Sequence, residues 1–378
     1  MTAMDAGFRR HLRRSLAELS IYDAPPADAS WVRLHANECP EPWPPEVLAD
    51  LAEVVRGIEL SRYPDTSGRA LRAILAGRLG VRPCEVVLGN GSDEIIGLLV
   101  TALSGRADAT VVVPRPTFVM YAHTARVLGL RVVEVDLREG FALDEPALRA
   151  ALADEAVCLC FLARPNNPTG TLWPRATIEA LVRDHPHVVF VVDDAYAAYA
   201  PEPSMFRPGR PENFVLMGTL SKVGLAALRV GYCVAHEDLA RALDTVRHPY
   251  NVSQTSLALA ARVLERHAHV LDAMVARTKV QRDRLARIFA RLPNAVVYPS
   301  AGNMVLCRLP APAASALSAH LRRHRILVKT FLDAPGFPGA GAYGYLRASA
   351  GTAADLDRLE AALERWRPPA AEPADPGR

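Results

Sequence analysis

One lysine stands out in this 378-residue sequence because lysine is so rare in it. Of 44 basic residues only three are lysines, Lys222, Lys279 and Lys329, and the rest are arginines. Lys222 lies in TLSKVGLAALRVGY (219–232), a short apolar segment flanked by glycines. Arginine would serve wherever only a solvated positive charge is needed. Lysine has an amine that deprotonates readily enough to be a nucleophile, so we predict a catalytic role for Lys222.

Other polar residues follow apolar segments that read as strands. Asp193 ends the apolar segment HVVFVV, where a carboxylate needs a cation as partner, either a ligand or a structural arginine. The turn GNGSDE (89–94) opens a helix, and a helix start presents backbone N–H groups to an anion such as phosphate. Asp93 in that turn could also be a simple helix cap. Asn166 and Asn167 in the turn RPNNPTG (164–170) could merely stabilise it.

The elements that must position these residues alternate along the chain. From about residue 68, helical patterns such as GRALRAILAGRLG alternate with short β-rich runs such as EVVLG, ATVVVP and AVCLCFLA. This alternation predicts an α/β fold, with a mostly parallel sheet covered by helices on both faces. Ligands bind to such sheets at the carboxyl ends of the strands, where the polar residues lie.

The pattern changes after Asn251, which predicts a second domain. A long helical stretch (253–292) leads into short strands and a final helix, an α+β pattern. We therefore predict four regions: an N-terminal arm at 1–40 that packs with the small domain or a partner subunit, a large domain at 41–255, a small domain at 256–366 and a disordered tail at 367–378. The first twenty residues read as an amphipathic helix.

Composition excludes several classes of protein. The net charge of +3 is too small for nucleic-acid binding as the main function, and no apolar run is long enough for a transmembrane helix. The six cysteines are dispersed without a CxxC pair, which argues against a zinc site or a disulfide framework. We expect buried thiols, no metal site and a reducing cytoplasm.

Taken together and in order, these segments resemble the fold-type I pyridoxal-phosphate enzymes, and among them the class I/II aminotransferases. The resemblance is closest to the histidinol-phosphate aminotransferases and runs from about Leu34 to Thr352. The matching segments are LHANECP (34–40), RYPD (62–65), GNGSDEI (89–95), PTFVMY (116–121), PNNPTG (165–170), DDAY (193–196), TLSKVGLAALRVGY (219–232), PYNVS (249–253) and YLRASAGT (345–352).

This resemblance implies pyridoxal 5′-phosphate as the cofactor. Lys222 would bind the cofactor aldehyde covalently and shuttle protons, and Asp193 would pair with the protonated ring nitrogen. Tyr196 and Asn167 would hydrogen-bond to the 3′-oxygen of the ring, and Phe118 would stack on the ring face. The cofactor phosphate would sit on the N–H groups of Gly91 and Ser92, helped by the hydroxyls of Thr219 and Ser221 and by Arg229. Asp93 would be a further cofactor-binding residue.

The resemblance also implies a homodimer and an anionic substrate. Tyr63 would reach the cofactor phosphate of the neighbouring subunit. Arg347 would hold the α-carboxylate or the phosphate of the substrate. Lys329 is a departure, because the family often has arginine there; its charge suits a phosphate, but it lacks the bidentate fork. The remaining candidates for substrate contact are Asn37, Asn303 and Tyr22.

The leading functional hypothesis is transamination of L-histidinol phosphate with 2-oxoglutarate. Two rivals on the same scaffold are an aromatic amino-acid aminotransferase and a threonine-phosphate decarboxylase. A rival from another class is a transcriptional regulator with an aminotransferase-like domain. Only about 33 residues precede LHANECP, too few for the helix-turn-helix module that such a regulator needs.

Overall fold

The computed structural model describes residues 8, 11–17, 28 and 30–369. In chain order, the strands are β1 (Val32–Arg33), β2 (Val86–Asn90), β3 (Thr110–Arg115), β4 (Arg131–Asp136), β5 (Val157–Ala163), β6 (Val189–Asp193), β7 (Phe214–Thr219), β8 (Val230–Val234), β9 (Val296–Val297), β10 (Met304–Pro310), β11 (Ile326–Leu327), β12 (Lys329–Leu332) and β13 (Tyr343–Ser349).

The α-helices alternate with these strands in the first two-thirds of the chain. They are α1 (Pro45–Arg56), α2 (Arg69–Leu79), α3 (Ser92–Ala102), α4 (Met120–Leu128), α5 (Glu145–Leu152), α6 (Arg175–Asp184), α7 (Glu237–Val246), α8 (Gln254–Arg266), α9 (Ala268–Ala290), α10 (Ala311–Arg323) and α11 (Ala353–Glu364). None of the helices in the described ranges combines the length and the apolar character needed to cross a membrane.

Seven strands form the main sheet, in the order β2-β8-β7-β6-β5-β3-β4. Strands β7, β6, β5, β3 and β4 run parallel to one another, whereas β8 runs antiparallel to both β7 and β2. The predicted mostly parallel α/β sheet is therefore confirmed. Since β3, β5, β6 and β7 are parallel, their carboxyl ends lie along one edge of the sheet.

Both faces of this sheet are buried, which explains why its strands are apolar throughout. On β6, Phe190 and Val192 belong to one core cluster and Val191 to another on the opposite face, as alternation along a strand requires. One cluster includes residues of α2, α5, α6 and α8, and the other includes residues of α3, α4 and α7.

A second core lies under the smaller sheet, whose strand order is β12-β13-β10-β9. Its apolar residues come from β10, β13, the end of α9, α10 and α11. Strand β1 pairs with β11 in a separate two-stranded sheet and adds Val32 and Leu34 to the same core. The segment that follows β1 is thereby held against the small sheet.

Details differ from the sequence-based expectations at several points. The long helical stretch is two helices, since α8 ends before His267 and α9 begins at Ala268. The segment ILVKTF is split between β11 and β12. Of the expected N-terminal helix, a 3₁₀ turn at Arg14–Ala17 is described. Cys84 is exposed, so the expectation that the cysteines are buried is wrong for this residue.

The expected domain boundary at residue 255 falls inside α8. Leu257, Ala260 and Val263 on this helix are part of the core of the large sheet. We propose that the large domain extends to the end of α8, because burial on that core ties the whole helix to it. Residues 370–378 of the proposed tail lie outside the described residues.

Candidate active site

A cavity of about 350 Å³ lies at the carboxyl ends of the central strands. Ala163, Asp193 and Thr219 come from the ends of β5, β6 and β7, and Arg347 comes from β13 of the small sheet. The residues predicted from the sequence that line it are Asn37, Ser92, Asp93, Phe118, Asn167, Asp193, Tyr196, Thr219, Ser221, Lys222, Arg229 and Arg347. Segments far apart in sequence thus supply one set of polar groups.

Lys222 enters this cavity from the connection between β7 and β8. It lies in a 3₁₀ turn, Ser221–Val223, which ends at Gly224 in a left-handed conformation (φ +112°). The chain then returns antiparallel, so that Arg229 at the start of β8 lines the same cavity as Lys222. This hairpin explains how two residues seven positions apart can act on one ligand.

Asp193 is a buried carboxylate with several partners. One oxygen accepts a hydrogen bond from the Tyr121 hydroxyl (2.5 Å), and the other accepts one from the backbone N–H of Ala195 (2.9 Å). Burial raises the pKa of Asp193, while these hydrogen bonds and the charge of Lys222 act in the opposite direction. Charged, this carboxylate is suited to bind a cation in the cavity.

Hydroxyl groups and a guanidinium gather at one end of the cavity. The Thr219 and Ser221 hydroxyls are 2.9 Å apart, and both residues are buried. Ser92 is the first residue of α3, and the Arg229 guanidinium lies 3.2 Å from the Asp93 carboxylate. A helix start with hydroxyls and an arginine is a favourable site for a phosphate group.

Gly91 contributes differently from our expectation. Its N–H donates to the carbonyl oxygen of Arg229 (2.6 Å), so it is already engaged and is not available to an anion. Its φ of +78° favours glycine, and a Cβ there would lie 2.5 Å from an Arg229 guanidinium nitrogen. Gly91 therefore allows Arg229 to approach the start of α3.

Arg347 lies at the other end of the cavity and is held by two acceptors. Its guanidinium donates to the side-chain oxygen of Asn167 and to the carbonyl oxygen of His35. Since the Asn167 oxygen accepts from Arg347, its amide nitrogen is the group that can donate to a ligand. His35 also lines the cavity, and burial lowers its pKa.

Asn303 supports the cavity wall without lining it. Its amide donates to the carbonyl oxygen of Asn37 (3.0 Å), and the Asn37 amide donates to the Tyr196 hydroxyl (3.0 Å). Asn303 and Asn37 are fully buried. Asn303 is thus connected to the cavity through Asn37 and Tyr196, and its direct contact with substrate stays a prediction.

Two other expected residues, Lys329 and Tyr63, lie outside the cavity lining. Lys329 is exposed on β12, directly opposite Arg347 in the strand register. Burial, together with the charge of Arg347, lowers the pKa of Lys329, so the two cations are near each other. Tyr63 is 81% exposed and stacks on Tyr250, with ring centroids 4.5 Å apart. Tyr22 lies outside the described residues.

Sequence reasoning missed Tyr121 and His35 as individual residues. Tyr121 is fully buried, stacks on Phe161 and holds Asp193, which lies 72 positions along the chain. Both missed residues belong to segments that carry the family resemblance, PTFVMY and LHANECP. Only their position in these segments could have indicated a functional role, because a tyrosine on an apolar helix face is ordinarily a core residue.

Comparisons with known proteins agree with this geometry. The sequence model of the family Aminotransferase class I and II matches residues 29–363. The chain is 40% identical over 319 residues to histidinol-phosphate aminotransferase 1 of Burkholderia lata, covering 84% of this chain and 88% of that protein. It is 41% identical over 329 residues to histidinol-phosphate aminotransferase 2 of Bordetella bronchiseptica, covering 86% and 88%.

A solved structure shows the same fold. The histidinol-phosphate aminotransferase of Sinorhizobium meliloti, crystallised with pyridoxal-5′-phosphate, is 28% identical and superposes with a TM-score of 0.79. The match covers 88% of this chain and 89% of that one. With a family model over most of its length and relatives at 40% identity, this chain belongs to the class I and II aminotransferases.

Proposed function

We propose that this chain is a pyridoxal-phosphate-dependent aminotransferase of histidine biosynthesis. The reaction transfers the amino group of L-histidinol phosphate to 2-oxoglutarate, giving imidazole-acetol phosphate and L-glutamate. The observation that carries the proposal is the cavity itself, where Lys222, Asp193 and Arg347 come together from three separate elements. The names of relatives at about 40% identity support this choice of amino donor.

The cavity residues fit pyridoxal 5′-phosphate in charge and in shape. Asp193 is a buried carboxylate that would pair with the cationic ring nitrogen, as its position demands. Ser92, Thr219, Ser221 and Arg229 would hold the phosphate at the other end. Phe118 would cover one ring face, and Asn167 and Tyr196 would hydrogen-bond to the ring hydroxyl.

The cofactor, when bound, supplies an aldehyde that reacts with amines and a ring that withdraws electrons from the substrate Cα. Lys222 provides the amine that holds this aldehyde and, when displaced by substrate, takes the proton from the substrate Cα. Asp193 keeps a proton on the ring nitrogen through its negative charge. Arginine could replace Lys222 in neither task, because its guanidinium stays protonated.

Two cations suit the phosphate of the amino donor. Arg347 lines the cavity. Lys329 is paired with Arg347 in the strand register but lies outside the cavity lining. L-Histidinol phosphate lacks an α-carboxylate, so these cations would bind its phosphate instead. The same arginine would bind the carboxylate of 2-oxoglutarate or L-glutamate in the other half-reaction.

Product analysis with three amino donors tests this assignment. The purified protein, loaded with pyridoxal 5′-phosphate, is given 2-oxoglutarate with L-histidinol phosphate or with L-phenylalanine, and L-threonine phosphate alone. The proposal predicts the largest kcat/KM for L-glutamate formation from L-histidinol phosphate. A larger value for L-phenylalanine would assign the enzyme to aromatic amino acids. Release of carbon dioxide from L-threonine phosphate would assign it as a decarboxylase.

We also propose that the enzyme acts as a homodimer. Tyr63 and Leu60, three positions apart in the sequence, are 81% and 85% exposed, and such exposure of large apolar side chains is typical of a surface that another protein covers. Tyr63 of each subunit would contact the cofactor phosphate of its partner. Six free cysteines fit a reducing compartment, and we propose the cytoplasm.

Mixed dimers test the contribution of Tyr63. Lys222→Ala and Tyr63→Ala subunits are each expected to form poorly active homodimers. Mixing equal amounts should restore about a quarter of wild-type activity, because about half of the dimers are then mixed and each mixed dimer holds one site with both residues intact. A monomer in sedimentation velocity, or no recovery on mixing, would contradict the shared site.

A further inference from the structure

The turn that carries Lys222 exposes carbonyl groups that its own helix cannot satisfy. Ser221–Val223 is a single 3₁₀ turn, and it ends at Gly224 with a positive φ of 112°. The last carbonyls of a helix have no intrahelical donor, and in so short a turn this applies to nearly all of them. Any donor that reaches them fixes the main chain from which the Lys222 side chain extends.

Tyr199 supplies one such donor. Its hydroxyl donates to the main-chain carbonyl oxygen of Lys222 at 2.5 Å, and its ring is only 1% exposed. Tyr199 lies in the segment after β6, which follows Asp193 directly and also carries Tyr196. This hydrogen bond therefore joins the segment that follows Asp193 to the turn that carries Lys222.

Trp43 supplies a second donor to the same turn, from the opposite end. Its indole N–H donates to the carbonyl oxygen of Gly224 at 3.1 Å. A Cβ placed on Gly224 would lie 3.1 Å from the Met274 sulfur and 3.7 Å from the Trp43 ring, so the turn is closely packed there. Trp43 belongs to the segment just before α1, remote in sequence from Tyr199.

Tyr199 is itself held in place. The Arg282 guanidinium of α9 donates to the carbonyl oxygens of Tyr199 (3.4 Å) and Gly302 (3.3 Å). Burial is the largest cause that raises the pKa of the Tyr199 hydroxyl, and the neighbouring Cys39 side chain also raises it. The Thr278 side chain acts in the opposite direction, but the net effect is a raised pKa. The hydroxyl therefore remains protonated and keeps its role as a donor.

We propose that Tyr199 and Trp43 are positioning residues for Lys222, acting together as a carbonyl clamp on residues 222–224. The Lys222 stem has four rotatable carbons, so the amine is located only as well as its main chain is. Fixing two carbonyls of the turn limits the volume that the amine explores and keeps it directed at the cavity. This inference rests on the proposed function, since it presupposes that Lys222 acts on cofactor and substrate.

Single-group deletions test the clamp in the full-length, cofactor-loaded enzyme. Tyr199→Phe removes the hydroxyl and keeps the ring, and Trp43→Phe removes the indole N–H. Tyr345→Phe is the matched control, because its buried hydroxyl also donates to a main-chain carbonyl, that of Pro338 (2.7 Å), away from the Lys222 turn. Each variant is first compared with wild type in melting temperature.

Both clamp variants should lower kcat about tenfold, or about 1.4 kcal/mol in activation free energy. The KM for the amino donor should change less than about twofold, because the substrate-binding residues are untouched. The pH midpoint of the visible absorbance of bound pyridoxal 5′-phosphate should also move by about half a unit, a change that loss of general stability would not produce. Tyr345→Phe should leave kcat and the midpoint at wild-type values.

Wild-type kcat and absorbance midpoint in both clamp variants would overturn the inference, and so would equal changes in Tyr345→Phe. If Tyr199→Phe does not fold, Trp43→Phe carries the same test through the other carbonyl. Borohydride treatment of the wild type separates this failure from failure of the proposed function. If only the clamp inference fails, reduction still leaves a pyridoxyl group on Lys222. If the proposed function fails, Lys222 carries no such group.

Discussion

The buried carboxylate of Asp193 needs hydrogen-bond donors around it. Burial raises the pKa of this carboxyl group, so neighbouring donors must favour the charged form if it is to bind a cation. Tyr121 is the buried side-chain donor, and burial raises its own pKa well above the ordinary value, with the Asp193 charge as the next cause. The Tyr121 hydroxyl therefore stays protonated and donates a hydrogen bond to Asp193.

Tyr121→Phe should weaken the site without opening the core. The ring and its stacking on Phe161 remain, but Asp193 loses a charge-assisted hydrogen bond. Such bonds contribute about 1.5–3 kcal/mol, so we expect the affinity of the apoprotein for pyridoxal 5′-phosphate to fall about tenfold or more. Titration of the apoprotein followed by absorbance measures this, with Tyr345→Phe as control. An unchanged affinity would mean that Asp193 does not depend on Tyr121.

At the scale of elements, the β7–β8 hairpin and the start of α3 act as one unit. Gly231 on β8 is paired with Gly89 on one side and Thr219 on the other. A Cβ at Gly231 would lie 2.3 Å from the backbone nitrogen of Ser92. Glycine is required here because two backbones approach closely, and this contact brings the helix start next to Arg229 and the Thr219 hydroxyl.

Gly231→Ala should therefore separate the phosphate-binding groups. The added methyl must displace either β8 or the start of α3, and we expect at least a tenfold loss of affinity for pyridoxal 5′-phosphate, about 1.4 kcal/mol. Gly97→Ala is the matched control, since no atom lies within 4 Å of a Cβ at that position in α3. It should leave affinity unchanged and stabilise the helix by about 0.5–1 kcal/mol. Equal affinities for the two variants would contradict this role of Gly231.

At the scale of the whole molecule, Asp194 links stability to pH. Burial, with the adjacent Asp193 charge, raises the pKa of Asp194 to about 7, while the Ser204 hydroxyl acts in the opposite direction. The unfolded value is near 3.8, so between about pH 4 and pH 7 the folded chain binds this proton and the unfolded chain does not. Stability from this group is therefore present at low pH and is lost as pH rises toward 7.

Asp194→Asn should remove that dependence, because asparagine resembles the protonated carboxyl group at every pH. Relative to the variant, the wild-type unfolding free energy should fall by about 1.4 kcal/mol per pH unit between pH 5 and pH 6, and by about half of that per unit near pH 7. Urea midpoints of the apoproteins across this range measure the difference. Asp272→Asn, at an exposed position on α9, is the control and should follow wild type. Parallel curves for wild type and Asp194→Asn would refute the assignment.

The elements that could be predicted from the sequence are those whose signal lies within one short segment. Continuous apolar runs identified β3, β5 and β6, since strands buried on both faces have no polar alternation. Rarity of lysine and an apolar setting predicted a role for Lys222, and the structure places this residue in the cavity lining. By contrast, β8 was missed: it is five residues long, and its antiparallel pairing depends on a hairpin whose connection is itself irregular.

Contacts between distant segments could not be predicted from the residues alone. Asn303 reaches Asn37 across 266 positions and Tyr121 reaches Asp193 across 72. The Gly91 N–H, expected to face an anion, is bonded to Arg229 because β8 passes next to it. Such pairings follow from packing of separate elements, which no single segment encodes.

The most direct test of the account is the chemical identity of the cofactor-bearing residue. The purified protein is incubated with pyridoxal 5′-phosphate, reduced with borohydride, digested and mapped by mass spectrometry. With only three lysines in the chain, the assignment is unambiguous. We predict one pyridoxyl group, on Lys222, and none on Lys279 or Lys329. A group on either of those lysines, or no stable group at all, would contradict the central claim.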